Sequence, residues 1–105
     1  IYFDTGKSEV KAESRPQLEE MAKLLQSQPA LKVYVVGHTD NQGTLDANLT
    51  LSQQRAQVVG AALASGYKID ARRIATKGVA SLAPVASNAA DPGRARNRRV
   101  ELVVQ

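Results

Sequence analysis

Cysteine and tryptophan are missing from this 105-residue chain, and it contains only one phenylalanine, three tyrosines and one histidine. Without cysteine there is no disulfide framework and no thiolate metal site. With His38 as the sole imidazole, a histidine-based metal site is not expected either. No apolar run approaches the roughly 18 residues that a membrane-spanning helix needs, and no basic-plus-apolar leader opens the chain. Aromatics are scarcest where positive charge is densest. Only Tyr67 lies in the second half, so the stacking platform of a single-strand or RNA binder is lacking.

The chain is long enough for one domain with a modest core. It opens on Ile1, Tyr2 and Phe3 rather than on methionine, so it reads as a single domain, 1–105, cut from a longer protein. The net charge of +4 is unevenly spread: residues 1–49 carry five basic against seven acidic side chains, and residues 50–105 nine against three. Arg94, Arg96, Arg98 and Arg99 fall within six residues. Three readings of that cluster are open: contact with nucleic acid or an anionic surface, pairing with acids of the first half such as Glu9, Glu13, Glu19 and Glu20, or support of a ligand pocket.

Periodicity and punctuation predict the order β-α-β-α-β-β. Ile1 to Phe3 reads as a short strand. A helix follows Ser14, which with Gln17 makes a capping-box pattern. Pro16 lies in its first turn, Leu18, Met21, Ala22 and Leu25 form an apolar stripe, and Pro29 ends it. A second strand runs from about Leu31 to Gly37. The second helix begins at Thr44 or Thr50 as cap and presents Leu51, Val58, Val59, Ala62 and Leu63. Gly66 is its expected left-handed terminator. Arg73 to Lys77 and Arg99 to Val104 read as strands, with Val100, Leu102 and Val104 on one face. Between them lie about twenty residues of loop, with a short helical turn expected at Asp91-Pro92. The sum is a two-layer α/β sandwich, with two main helices on one face of a mixed four-stranded sheet. If the first two strands pair, a right-handed crossover makes them parallel neighbours.

Chemistry concentrates in the stretch from Gly37 to Ala56. Asp40 leaves the end of a strand, and Arg55 lies on the next helix, so a carboxylate and a permanent cation can face one crevice. Such a pair suits a zwitterion. Taken alone, Asp40 reads as a turn former bonded to its own backbone, Arg55 as a solvated helix residue whose place beside the apolar face also fits a pocket rim, and His38 as a structural ring bonded to the loop. His38, Asp40 and Ser52 match a hydrolytic triad in type, but nothing marks Ser52 as an exposed nucleophile. Ser52-Gln53-Gln54-Arg55 resembles a Ser-x-x-Lys motif only on the surface, since arginine stays protonated. Capping or exposure suits Ser52 better.

The ordered set Tyr2-Phe3-Asp4, Gly37-His38-Thr39-Asp40, Gly43, Asn48, Leu51-Ser52, Arg55-Ala56, Val59, Gly78, Pro84, Asn88, Gly93-Arg94 and Asn97-Arg98-Arg99-Val100-Glu101 covers nearly the whole chain. In it the sequence resembles the OmpA-like peptidoglycan-binding domain family. The resemblance implies a non-catalytic periplasmic domain, without cofactor. Such a domain grips the meso-diaminopimelate of the peptidoglycan stem peptide and anchors an outer-membrane protein or lipoprotein to the cell wall. It implies that Asp40 takes the ligand's ammonium and Arg55 its carboxylate. By the same resemblance, Thr39, Asn48, Leu51 and Arg98, with backbone near Asp4 and Thr5, match positions that line or support the pocket. The segment Thr44 to Ala47 supplies a single acid, Asp46, and the loop 79–96 is alanine-rich without an aromatic. The stem peptide is the expected partner, nucleic acid is not, and the parent is a membrane-anchored chain that could form a homo-oligomer.

Arginine suits such a role because its planar fork donates two parallel bonds to a carboxylate. Unpaired N–H groups in the first turns of the helix add to the attraction. Replacing diaminopimelate by lysine removes the carboxylate and leaves Arg55 unmatched. Sites of this kind reject such analogues by up to about 10⁴-fold or more.

Overall fold

The computed structural model describes all of residues 1–105. Its regular elements are α1 (Arg15–Ser27), β1 (Val33–Gly37), α2 (Leu45–Ala61), β2 (Ile74–Gly78), α3 (Asp91–Asn97) and β3 (Val100–Val104). The sheet has three strands in the order β2-β1-β3, with β1 parallel to β2 and antiparallel to β3. The α/β class and the mixed sheet match expectation, but the fourth strand does not form. Ile1 to Phe3 makes a single antiparallel bridge, Tyr2 to Arg99. Phe3 N–H donates to Arg98 O at 2.9 Å, and Val100 N–H to Ile1 O at 2.9 Å. This segment therefore extends the sheet beside β3 and does not pair with β1. The parallel neighbours joined by a helix are β1 and β2.

The core lies between the helices and one sheet face. Leu18, Ala22 and Leu25 of α1 and Ala56 and Val59 of α2, with Leu63 just beyond, meet Val33, Val35 and Val100. Alternation along β1 explains the layering: Val33 and Val35 are buried and Tyr34 between them faces outward. Ile1 and Phe3 plug the same core. Gly37 lets α2 approach, because a Cβ there would lie 1.9 Å from Ser52 O.

Local punctuation was partly as expected. Thr44 caps α2, its hydroxyl accepting Ala47 N–H at 3.1 Å. The capping box at Ser14 is absent: a 3-10 turn, Ala12–Ser14, runs directly into α1, and Ser14 is buried in helical conformation with no side-chain cap. Nor is Gly66 left-handed. The chain leaves α2 through a wider π-helical turn, Ala62–Gly66, and Lys68 takes the positive φ of 58° instead. Val58 is 38% exposed, off the buried face of α2. The turn at Asp91-Pro92 proves to be the seven-residue α3.

Two side chains secure the sheet's margins. Arg73 donates from Nε to Leu31 O at 3.0 Å and from Nη2 to Leu25 O and Gln28 O at 2.6 and 2.7 Å, collecting carbonyls from the last turn of α1, its C-cap and the loop beyond. Gln53 of α2 donates to Thr76 O at 3.1 Å and accepts Gly78 N–H at 2.9 Å, so its carboxamide stands on β2 where a further strand would pair. No helix is long and apolar enough to cross a membrane.

Candidate functional site

The end of β1 delivers His38, Thr39 and Asp40 into a turn, and α2 returns Arg55 beneath it. All four residues are buried. The Arg55 guanidinium is completely enclosed, not at a pocket rim: its relative exposure is 0%. It donates from Nε to Lys7 O at 2.8 Å, from Nη1 to His38 O at 2.9 Å and from Nη2 to Asp4 O at 3.0 Å. Its Cζ stands 5.2 Å from the centre of the Phe3 ring, within cation–π range. Burial lowers its pKa to about 10, with Asp40 working against the depression and Arg98 adding to it. Arg55 is still a cation at neutral pH, and no carboxylate bonds to it.

Asp40 has two jobs. Its Oδ1 accepts Gln42 N–H at 3.0 Å, closing an Asx turn, so the turn-former reading holds. Its Oδ2 accepts from Arg98 Nη1 at 3.2 Å, an ion pair with only 16% and 6% side-chain exposure. The direct partner of Asp40 is therefore Arg98, with Arg55 felt through its charge. Arg98 is held in turn by Phe3 O at 3.0 Å.

Asn48 donates to Gln42 O at 3.0 Å and Asp40 O at 3.5 Å, and the Thr39 hydroxyl donates to Asp40 O at 2.8 Å. Leu51 is half-buried. Asp4 and Thr5 lie in an exposed turn closed by Lys7 N–H on Asp4 O at 3.1 Å, with Gly6 at φ 67°. That turn straps Arg55 through the Asp4 and Lys7 carbonyls, while the Asp4 carboxylate faces outward onto Lys11 at 3.1 Å. The structure thus gathers Asp40, Arg55, Arg98, Thr39, Asn48 and the Asp4 backbone at one end of the sheet. Thr5 and Leu51 flank them without a polar contact to either charge. The largest groove, about 430 Å³, lies elsewhere, between Val10–Arg15 and the π-helical turn.

The arginine cluster is dispersed. Arg94 pairs with Asp91 and donates to Asn88 O at 3.0 Å. Arg99 pairs with Glu101 at 2.5 Å and donates to Ala83 O at 3.0 Å. The acids engaged are Asp91, Asp40 and Glu101, not Glu9, Glu13, Glu19 or Glu20. Arg96 alone of the four is exposed without a partner, a poor footprint for a polyanion.

His38 departs from the expected bonded ring. Its side chain is 5% exposed, neither ring nitrogen has a hydrogen-bond partner, and Glu101 lies 3.7 Å away. Burial lowers its pKa, Arg99 reinforcing and Glu101 opposing. Ser52 is fully buried and engaged with Leu49 O and Ala80 N–H, each at 3.0 Å, so no triad exists.

Sequence reasoning missed two supports. Ala80 is buried at φ 52°. Asn97 is fully buried and pins the alanine-rich loop by accepting Val85 and Ala86 N–H at 2.8 and 3.1 Å while donating to Ala86 O and Asn88 Oδ1. A polar residue at the end of a short helix gives no periodic signal.

Side chains so arranged hold charged groups through hydrogen bonds and ion pairing, the equipment of a small α/β binding domain. The chain belongs to the OmpA family, whose model matches residues 2–98. It is 41% identical over 100 residues to outer membrane protein Omp38 of Acinetobacter baumannii, covering 95% of this chain and 28% of that protein. It is 47% identical over 88 residues to peptidoglycan-binding protein ArfA of Mycobacterium tuberculosis, covering 83% and 26% respectively. The chain thus spans about a quarter of the length of these two relatives. The crystal structure of the peptidoglycan-associated lipoprotein from Burkholderia pseudomallei superposes with a TM-score of 0.93 at 32% identity, covering all of this chain and 88% of that one.

Proposed function

We propose that this domain binds bacterial peptidoglycan non-covalently, through the meso-diaminopimelate of the stem peptide, and so anchors an envelope protein to the cell wall in the periplasm. The observation that carries this reading is a buried guanidinium without an acid of its own, Arg55, beside a buried carboxylate, Asp40. A cation taken out of water is costly unless compensated, and carbonyl dipoles compensate it less fully than a carboxylate does. The ligand's carboxylate replaces the strap carbonyls of Asp4 and Lys7 at Arg55. Its ammonium joins Asp40, whose carboxylate is bonded directly by Arg98. Thr39 and Asn48 keep the turn in place. Names borne by two relatives, peptidoglycan-binding protein and peptidoglycan-associated lipoprotein, support the same ligand class.

The role is one of holding, with no reaction to catalyse. A parent anchored in the outer membrane, or oligomeric, turns modest single-site affinity into firm attachment, because glycan strands repeat the ligand many times. Nucleic acid is the weaker reading, since three of the four clustered arginines are already engaged.

Calorimetric titration with free stem peptide tests the assignment from the ligand's side, which avoids disturbing Arg55. Exchanging diaminopimelate for lysine removes one carboxylate and is expected to cost roughly 2 to 5 kcal/mol, as is Asp40→Ala. Equal affinity for both peptides, together with undiminished binding by Asp40→Ala, sinks the reading.

A further inference from the structure

We propose that Ser52 is a positioning residue for the Asp40 turn, acting through the backbone of Ala80; the inference rests on the binding role assigned above. Ser52 projects from α2 with no exposure to solvent. Its hydroxyl donates to Leu49 O at 3.0 Å, one turn back on its own helix, which fixes the rotor and aims a lone pair outward. That lone pair accepts Ala80 N–H at 3.0 Å. The Ala80 carbonyl accepts Thr39 N–H at 2.9 Å, and the Thr39 hydroxyl reaches Asp40 O at 2.8 Å. A continuous relay thus runs from the helix that carries Arg55 to the turn that carries Asp40, without using either charged side chain.

Ala80 is the tell-tale link. It is a non-glycine residue at φ 52°, fully buried. Alanine adopts that conformation at a cost and keeps it only where its surroundings over-determine it. Here Ser52 grips its N–H, while Val79 N–H on Gly37 O at 3.0 Å ties the preceding residue to the end of β1. Take away the Ser52 oxygen and the Ala80 N–H is buried without an acceptor. The residue can then relax toward ordinary φ, and its carbonyl swings off Thr39. Asp40 loses its fixed alignment with Arg98, while every group that touches ligand stays in the chain. The role accounts for a fully buried hydroxyl in the middle of a helix, where alanine would otherwise serve better.

Ser52→Ala and Ala80→Gly, compared with the unaltered protein, test this by stem-peptide titration and by amide hydrogen exchange without ligand. Ser52→Ala is expected to raise Kd about tenfold, the equivalent of one buried hydrogen bond, and to speed exchange at Thr39 and Ala80 more than at Val33 or Val35. Ala80→Gly retains both bonds and removes the left-handed penalty, so Kd stays within about twofold and stability rises. A folded Ser52→Ala that binds as the unaltered protein does, or that leaves Thr39 exchange unchanged, overturns the proposal. Should Ser52→Ala not fold, the unaltered protein decides: Thr39 and Ala80 amides exchanging as fast as exposed Asn41 overturn it, and protection like that of β1 supports it. An unaltered protein that binds no stem peptide refutes the binding role instead, and the exchange comparison still reads the relay.

Discussion

Each end of the sheet is closed by an arginine that collects three backbone carbonyls, and the two differ in what surrounds them. Arg73 gathers Leu25, Gln28 and Leu31 at the end of α1, half-exposed and with no carboxylate in its hydrogen bonds. Arg55 gathers Asp4, Lys7 and His38, sealed from solvent, with the carboxylate of Asp40 near enough to favour its charge. Water can take over part of what Arg73 does, because the Gln28 carbonyl is exposed and Leu31 is only half-buried, whereas Leu25 belongs to the core. The Arg55 guanidinium is closed off from water, and burial acts on it more strongly than the opposing charges of Asp40 and Arg98. The same covalent group is a clamp in one place and the centre of an electrostatic site in the other.

Substitution by methionine separates the two roles most sharply. Arg55→Met strands the buried His38 carbonyl, empties a fully buried site and leaves the Asp40–Arg98 pair without its neighbouring cation, so a loss of roughly 3 to 5 kcal/mol is expected in urea unfolding. Arg73→Met is expected to cost about 1 to 2 kcal/mol, because its half-exposed site lets water reach the Gln28 and Leu31 carbonyls. Equal losses would show that burial is not what distinguishes the two ends.

Acid sharpens the contrast next. The His38 pKa lies below its usual 6.5 when folded, so the unfolded chain takes up the proton more readily. The stability contributed by neutral His38 is complete above about pH 6.5 and is lost as pH falls toward the folded value, with a slope of at most about 1.4 kcal/mol per pH unit. Glu101, lowered chiefly by its bond to Arg99, follows the same sign below its usual 4.5. His38→Gln should flatten the upper part of that slope in unfolding curves between pH 7 and 5, and an unchanged slope would discount the ring. The smallest effect belongs to the exposed Arg72–Asp70 pair. Although its bonds to Arg72 hold Asp70 down to about 2, Asp70→Asn is expected to leave Tm unchanged in 0.5 M salt, where such pairs are screened.

Regular elements with an apolar face were legible from the sequence. The α1 stripe Leu18, Ala22 and Leu25, the alternation through Val33 and Val35, and the Thr44 cap are local signals that the fold keeps. The buried face of α2 was legible only toward its end, where Val59 and Leu63 are buried as expected, since its first half is Asn48, Ser52 and Arg55. Hydrophobic periodicity overlooks a face whose burial is supported by hydrogen bonds, and so Val58 was placed inside. Ile1 to Phe3 failed as a strand because its one bridge reaches Arg99 across the whole chain, and three residues sustain little ladder. At the site, residue types and the helix–strand setting were readable. What was not readable is that Arg98, 58 positions away, takes the Asp40 carboxylate, or that Arg55 is roofed by carbonyls of the N-terminal turn. Such contacts depend on tertiary closure and leave no spacing to detect.

Gln53 bears on how many such domains can stand side by side. An open sheet margin offers bare amides to any neighbour and invites chains to zip together when crowded. With its carboxamide seated on Thr76 and Gly78, that margin is stoppered from within. Copies crowded together are therefore kept from zipping strand to strand along β2.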